Sequence, residues 1–431
     1  MLASFAFELP SSTAWIYAAF VVAIALFFQF TRPFSLRNWD LVGLFLHAPG
    51  FLLLDDYSRT GNAAQRYAGY GWLLLATGVW SIRCLLDARL VRRGRHSPNL
   101  TRPGLYWLGV CLLVGLAAAA ALANESERTV GKPPVVIAGV EQTAAVVVQQ
   151  VQAEQMESVS PLSVRLWVSR AVGILCQIAV VAMLVLIGRV HFNDPTTAIS
   201  AALVYMLLPA TAFLFTQSHH VWPSALLLGA ILLFRHPHWA GVLLGLAAGT
   251  SFFPLLLFPS WIQFYHGRGA RRFAFWFAVS AVGSLLLTIL SLWLAGDYTT
   301  GLWQSQYLRD WQPWLVPMAE SIWTGGRWIY RLPLFIVHIG FVLFTIIWPS
   351  SKNLGQLIAV NAMILLGLQY WYADRGGAYV LWYAPLLILM VLRPTTVELV
   401  PPELRDLQPF RWLRRKATSE GQQPSPPVLA V

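Results

Sequence analysis

Charge is the scarcest property of this chain. Asp, Glu, Lys and Arg make up 11% of its 431 residues, against 57% hydrophobic residues and a mean hydropathy of +0.58. One core cannot hide that much apolar surface in a soluble domain, so a soluble catalytic domain is excluded and a polytopic membrane protein is expected. Cysteine is also rare: Cys84, Cys111 and Cys176 are far apart and lie in or beside apolar runs. That spacing argues against both a disulfide framework and a metal cluster. The opening MLASFAFELPSSTAW lacks a basic n-region and carries Glu8, so the first apolar run reads as a retained helix rather than a cleaved signal. The period-2 alternation of an outer-membrane barrel is missing, which leaves an all-α bundle.

What is present is a succession of low-charge apolar windows, each approaching the roughly 20 residues a bilayer asks of a helix. They fall at 13–31, 41–54, 68–82, 104–123, 166–188, 195–215, 221–234, 239–251, 253–265, 273–295, 332–348, 355–371 and 377–392. The expected fold is therefore a transmembrane helix bundle of 12 or 13 helices. The net charge of +11 does not point to nucleic acid, because its distribution follows the positive-inside rule. With the N-terminus outside, twenty of the thirty basic residues, Arg83, Arg102, Arg235, Arg272 and Arg393 among them, fall on the inner side. Twelve of the nineteen carboxylates fall outside.

Two windows leave alternatives. LVGLFLHAPGFLLL, residues 41–54, is short and contains Pro49; as a re-entrant segment it would give twelve crossings and a cytoplasmic N-terminus. AGVLLGLAAGTSFFPLLLFPSWIQF, residues 240–264, reads as one helix or two. Charge favours two short helices broken between Gly249 and Pro254, since a single crossing would put Arg268, Arg271 and Arg272 outside. Non-helical backbone at that depth is tolerated only beside protein or a water-filled cavity.

Two long connections lie on the outer side. Residues 124–165 contain EQTAAVVVQQVQAEQME, with apolar residues on one helical face and glutamines and glutamates on the other, which suits an interfacial helix. Residues 296–331 hold Trp303, Trp311, Trp314, Trp323 and Trp328, which suit the headgroup layer or sugar stacking. The tail from 394 to 431 is polar and proline-rich, with FRWLRRK able to touch anionic lipid. The expected division is 1–103 as N-terminal helices, 104–393 as the core, and 394–431 as a disordered cytoplasmic tail.

The segment FTQSHHVWPSALLLGAILLFRHPHWAGVLLGLAAGTSFFPLLLFPSW carries the most specific pattern in the chain: a glutamine and two histidines before an apolar helix, a basic turn, then small residues ending in a proline. It resembles the central segment of the polyprenyl-phosphate-dependent glycosyltransferases of the GT-C superfamily, in particular their bacterial mannosyltransferase-like branch. Gln217 matches that branch's first glutamine, His219 stands near its asparagine, and Arg235 to His238 form the turn. Ala240, Gly241, Gly245, Ala247 and Pro254 match the next helix, and GAYVLWYAPLLILMVLRP, from Gly377 to Pro394, is similar to the last one. Two features depart from the pattern: Ser251 stands where the branch has lysine, and the usual aspartate-rich motif is missing.

The resemblance implies a sugar transferase of the bacterial inner membrane, acting on the outer face. It would take a mannose-like hexose from a polyprenyl-phosphate donor within the membrane lipid to an acceptor that the sequence leaves open. Such a transfer needs a carboxylate base and cations for the departing phosphate. Glu125 and Glu127, directly after the helix 104–123, are the candidate bases. Arg170, one turn inside the window 166–188, is the first candidate for the phosphate, with Arg327 and Arg375 on the outer loops beside it. Gln217, His219 and His220 would bind sugar hydroxyls or phosphate oxygens. Neighbouring helical positions diverge by about 100 degrees, so the two histidines are not expected to share one metal ion. The sequence identifies no cofactor and leaves a divalent metal open; Asp55 and Asp56 form a rival acidic pair that could hold one. The rival readings are a transporter or lipid flippase, and a non-catalytic GT-C relative.

Overall fold

A computed structural model describes residues 12–87, 98–122, 161–215, 217–294, 322–323, 327–348, 352–372, 378–394 and 399–401. Among them every regular element is helical. The chain runs through α1 (Ser12–Phe27), α2 (Leu36–Leu44), α3 (Ala48–Thr60), α4 (Ala63–Leu86), α5 (Arg102–Leu122), α6 (Pro161–Val190), α7 (Pro195–Leu207) and α8 (Pro209–Phe213). It continues through α9 (Ser218–Leu232), α10 (Pro237–Thr250), a 3₁₀ turn (Phe253–Leu257), α11 (Phe258–Phe264), α12 (Ala270–Leu294), α13 (Arg331–Phe344), α14 (Leu354–Leu368) and α15 (Ala384–Leu392). Four of the described helices are long and apolar enough to cross a membrane: Ala63–Leu86, Arg102–Ala120, Arg170–Val190 and Ala270–Leu290. On α5 and α12 large apolar side chains such as Trp107, Val114, Phe275 and Leu287 face outward. Outward apolar surface on that scale fits lipid better than water.

Several expected windows are not continuous helices: 253–265 opens as a 3₁₀ turn, and 377–392 becomes α-helical only at Ala384. The window 41–54 breaks at Phe45 to His47, and Pro49 sits in the first turn of α3, where its missing N–H costs nothing. The window 195–215 breaks at Leu208, whose ψ of 135° is extended because Pro209 follows it.

The break expected between Gly249 and Pro254 is present: α10 ends at Thr250 and Ser251 is extended. What the chain does there follows from the packing of α10 on α12. A Cβ added to Gly241 would meet the Phe273 carbonyl at 2.6 Å, one on Gly245 the Phe277 carbonyl at 2.3 Å, and one on Gly249 the Ala281 carbonyl at 2.5 Å. The partners advance together, so α10 and α12 run parallel. The 3₁₀ turn and α11 must therefore double back, and the Tyr265 hydroxyl does donate to the Phe234 carbonyl at 2.6 Å, beside the start of α10. Glycine at every fourth position lets the two backbones touch.

Other contacts fix the remaining directions. His191 Nε2 meets the Leu232 carbonyl at 2.8 Å, and Gly229 lies beside Met183, so α6 and α9 are parallel. The Tyr205 hydroxyl donates to Gln177 Oε1 at 2.6 Å and Gly188 abuts Ala198, so α7 runs antiparallel to α6. Arg102 donates to Thr196 Oγ1, Arg189 to the Tyr106 hydroxyl, and Arg268 to the Pro401 carbonyl. Basic residues expected on the inner side thus share one end of the bundle.

A buried ion network ties the N-terminal helices into that end. Arg83 grips Asp40 through Nε at 2.6 Å and Nη2 at 2.7 Å, and reaches Asp87 through Nη1 at 3.2 Å, while Arg393 pairs with the other oxygen of Asp87. A Cβ on Gly355 would collide with the Arg393 guanidinium, so this glycine gives it passage. Farther in, the Tyr383 hydroxyl meets His47 Nε2 at 3.0 Å and the Tyr370 hydroxyl donates to the Leu74 carbonyl at 3.1 Å. Buried apolar side chains from α1 to α15 form one continuous core.

Candidate functional site

The opposite end of the bundle holds the histidine pair. Gln217 is the N-cap of α9, and Ser218, His219 and His220 form its first turn. Pro223 lies inside this helix and has no N–H to give the carbonyl of His219, four residues earlier. That carbonyl is taken instead by the indole N–H of Trp382, at 3.2 Å. Five residues after His219, the Ser224 hydroxyl donates to the Leu381 carbonyl at 2.6 Å. A proline in one segment therefore creates the acceptor that docks another, more than 150 residues away in the chain.

Rings stack outward from this contact. The His220 imidazole lies on Tyr379 with centroids 4.6 Å apart, Tyr379 on Trp382 at 4.2 Å, and Trp382 on Phe253 at 3.9 Å. Tyr372 packs edge-on against Tyr379 and Trp382, and Phe252 stacks on Tyr372. Each aromatic pair contributes about 0.5–1.5 kcal/mol beyond its buried area, so the ladder ties the first turn of α9 to residues 379–382. The His219 and His220 rings are 4.2 Å apart. The expected divergence of neighbouring positions does not separate them, because both side chains turn toward Tyr379.

Arg331 opens α13 beside this cluster and is fully buried, with its Nε donating to the Trp371 carbonyl at 2.8 Å. The Trp371 indole donates in turn to His338 Nδ1 at 2.9 Å, and His338 Nε2 meets the Ile364 carbonyl at 2.8 Å. An indole N–H only donates and a carbonyl only accepts, so His338 is held as the neutral tautomer protonated on Nε2.

The sequence candidates divide as follows. Gln217, His219 and His220 come together on the ladder, with His220 buried and the other two half-buried. Arg170 is buried on α6, and because α6 and α9 are parallel it lies toward the same end. Arg327 is exposed, with its guanidinium 4.9 Å from the ring centroid of Tyr67 at the start of α4. Trp323, expected in the headgroup layer, donates its indole N–H to the Tyr370 carbonyl at 3.1 Å. Glu125, Glu127, Arg375, the loop helix within 124–165, Trp303, Trp311, Trp314 and the tail beyond Pro401 lie outside the described residues. The acidic pair is locally engaged: Asp55 pairs with Arg59 at 2.8 Å and Asp56 accepts from Gln65. Among the described residues no three His, Cys, Asp or Glu side chains gather as a metal site.

Sequence reading places Tyr379 and Trp382 only within the stretch 377–394, without a role of their own, and passes over Tyr372 and Arg331. The aromatic density of YWYADRGGAYVLWYAP, with its two glycines and a proline, is the signal that packed aromatic rings rather than a continuous plain helix follow α14. Comparison of the chain with protein-family models, with curated proteins and with solved structures gives no match.

Proposed function

We propose that this chain is an integral-membrane glycosyltransferase of GT-C type. It would transfer a mannose-like hexose from a polyprenyl-phosphate donor to an acceptor at the end of the bundle that carries His219 and His220. One observation carries the reading. The two stretches that resemble the transferases, residues 217–254 and 377–394, meet in a single cluster in which Trp382 docks on His219, Tyr379 on His220 and Phe253 on Trp382. In this scheme Gln217 and the imidazoles hydrogen-bond the sugar, and Arg170, with Arg327 and Arg375, balances the departing phosphate. Glu125 or Glu127 takes the acceptor's proton.

The test is transfer of labelled hexose from a polyprenyl-phosphate donor by the purified, reconstituted protein. The Glu125→Gln, Glu127→Gln double variant should lower kcat by about 10²- to 10⁴-fold, the usual worth of a general base; full activity in that variant refutes the choice of base. A second reading, a transporter or lipid flippase, is favoured by the doubled-back α10 and α11, whose extended Ser251 interrupts helical backbone. Lipid translocation in proteoliposomes without sugar transfer would select it.

A further inference from the structure

At the basic end, the turn between α9 and α10 and the turn between α11 and α12 lie side by side, joined by Tyr265 and Phe234. Together they display Arg235, His236, Arg271 and Arg272, all exposed, around a half-buried His238. The His236 and His238 rings are 5.9 Å apart. Burial first, and then the charges of His236 and Arg272, hold the His238 imidazole below its ordinary value. No carboxylate relieves this repulsion from within: the sequence from Pro195 through Gly296 contains no Asp or Glu. None of the ion pairs among the described residues involves these groups. The parallel helices α10 and α12 both start here without an acidic residue in their first turns, which adds to the positive potential.

The patch has an apolar floor. Trp239 is 53% exposed beside His238, and Phe275 and Trp276 are exposed one turn farther along α12. Exposed basic side chains beside an exposed indole, with outward aromatic side chains one turn farther on, match a ligand with an anionic head and an acyl body. We propose that Arg235, His236, His238, Arg271 and Arg272 form a binding site for the phosphate headgroup of an anionic phospholipid, whose chains lie along Trp239 and Phe275. The site is on the opposite end from the histidine pair and does not depend on sugar transfer; it rests on the chain being embedded in a membrane.

Native mass spectrometry of the full-length protein, released from mixed micelles of phosphatidylglycerol and phosphatidylcholine, tests it. The wild type should retain phosphatidylglycerol in preference to phosphatidylcholine. The Arg235→Gln, Arg271→Gln, Arg272→Gln variant should lose roughly 100-fold in that preference, at about a factor of five per arginine. An Arg102→Gln, Arg189→Gln control, which removes charge elsewhere at the same end, should keep it. Equal retention of both lipids by the wild type overturns the site. So does an unchanged preference in the triple variant, or an equal loss in the control. Far-UV circular dichroism of each variant separates lost binding from lost folding.

Discussion

Replacing Gly245 by alanine adds one methyl group at the closest approach of α10 and α12. Its Cβ would stand 2.0 Å from Ser280 Oγ and 2.3 Å from the Phe277 carbonyl oxygen. The serine hydroxyl can rotate away; the carbonyl belongs to the α12 backbone and cannot. Restoring ordinary contact at 3.4 Å means moving α12 by about 1 Å along a seam where Gly241 and Gly249 are equally tight. Overpacking of this kind costs about 1–3 kcal/mol, and separating the seam also forfeits dispersion contacts at the two neighbouring glycines. The expected loss is about 3 kcal/mol, measured as unfolding in mixed micelles of increasing dodecyl sulfate content and followed by far-UV circular dichroism. Two controls sharpen it. Ser280→Ala in the Gly245→Ala background should recover only a minor part, because the carbonyl clash persists. Gly115→Ala, where an added Cβ meets nothing within 4 Å, should be neutral or stabilising by a few tenths of a kcal/mol to about 1 kcal/mol. If Gly245→Ala is as stable as the wild type, the close parallel packing of α10 and α12 is wrong.

Other consequences can be checked with the same material. Arg83→Met leaves Asp40 and Asp87, both buried, with less of their positive charge and should destabilise the protein by about 3–5 kcal/mol; in the same assay Arg59→Met, on an exposed pair, should change stability by under about 1 kcal/mol. Lys352 is buried, donates to the Thr345 carbonyl at 2.6 Å, and is pushed down to about 8 by burial. The unfolded chain therefore holds this proton more tightly than the folded one, so stability should rise as pH climbs from 8 toward the ordinary lysine value and level off beyond it. Unfolding midpoints across that range should show the rise in the wild type and lose it in Lys352→Met. Trp382→Phe keeps a ring on Phe253 and Tyr379 but leaves the His219 carbonyl without its indole donor. It should cost about 1–3 kcal/mol and, if the cluster binds substrate, raise KM for the donor; unchanged stability and KM would show that the docking contact is idle.

The helical class, the break near Ser251 and the gathering of arginines at one end were legible in the sequence, because each comes from a local signal. Apolar runs need helices in lipid, proline and glycine interrupt them, and charge is excluded from the middle of the bundle. The same locality explains the misread windows at 41–54 and 195–215: hydropathy runs on across Leu208 and Phe45 to His47, whereas backbone geometry does not. The small residues of the resemblance, Gly241 and Gly245, were legible as a pattern but not as a cause; the α12 carbonyls supply one. No local signal could join His219 to Trp382, Asp87 to Arg393 or His47 to Tyr383. Those partners are far apart in sequence on helices of similar apolarity, and which helix faces which is decided by shape at the seams, where glycine, proline and buried polar groups fit one neighbour and not another.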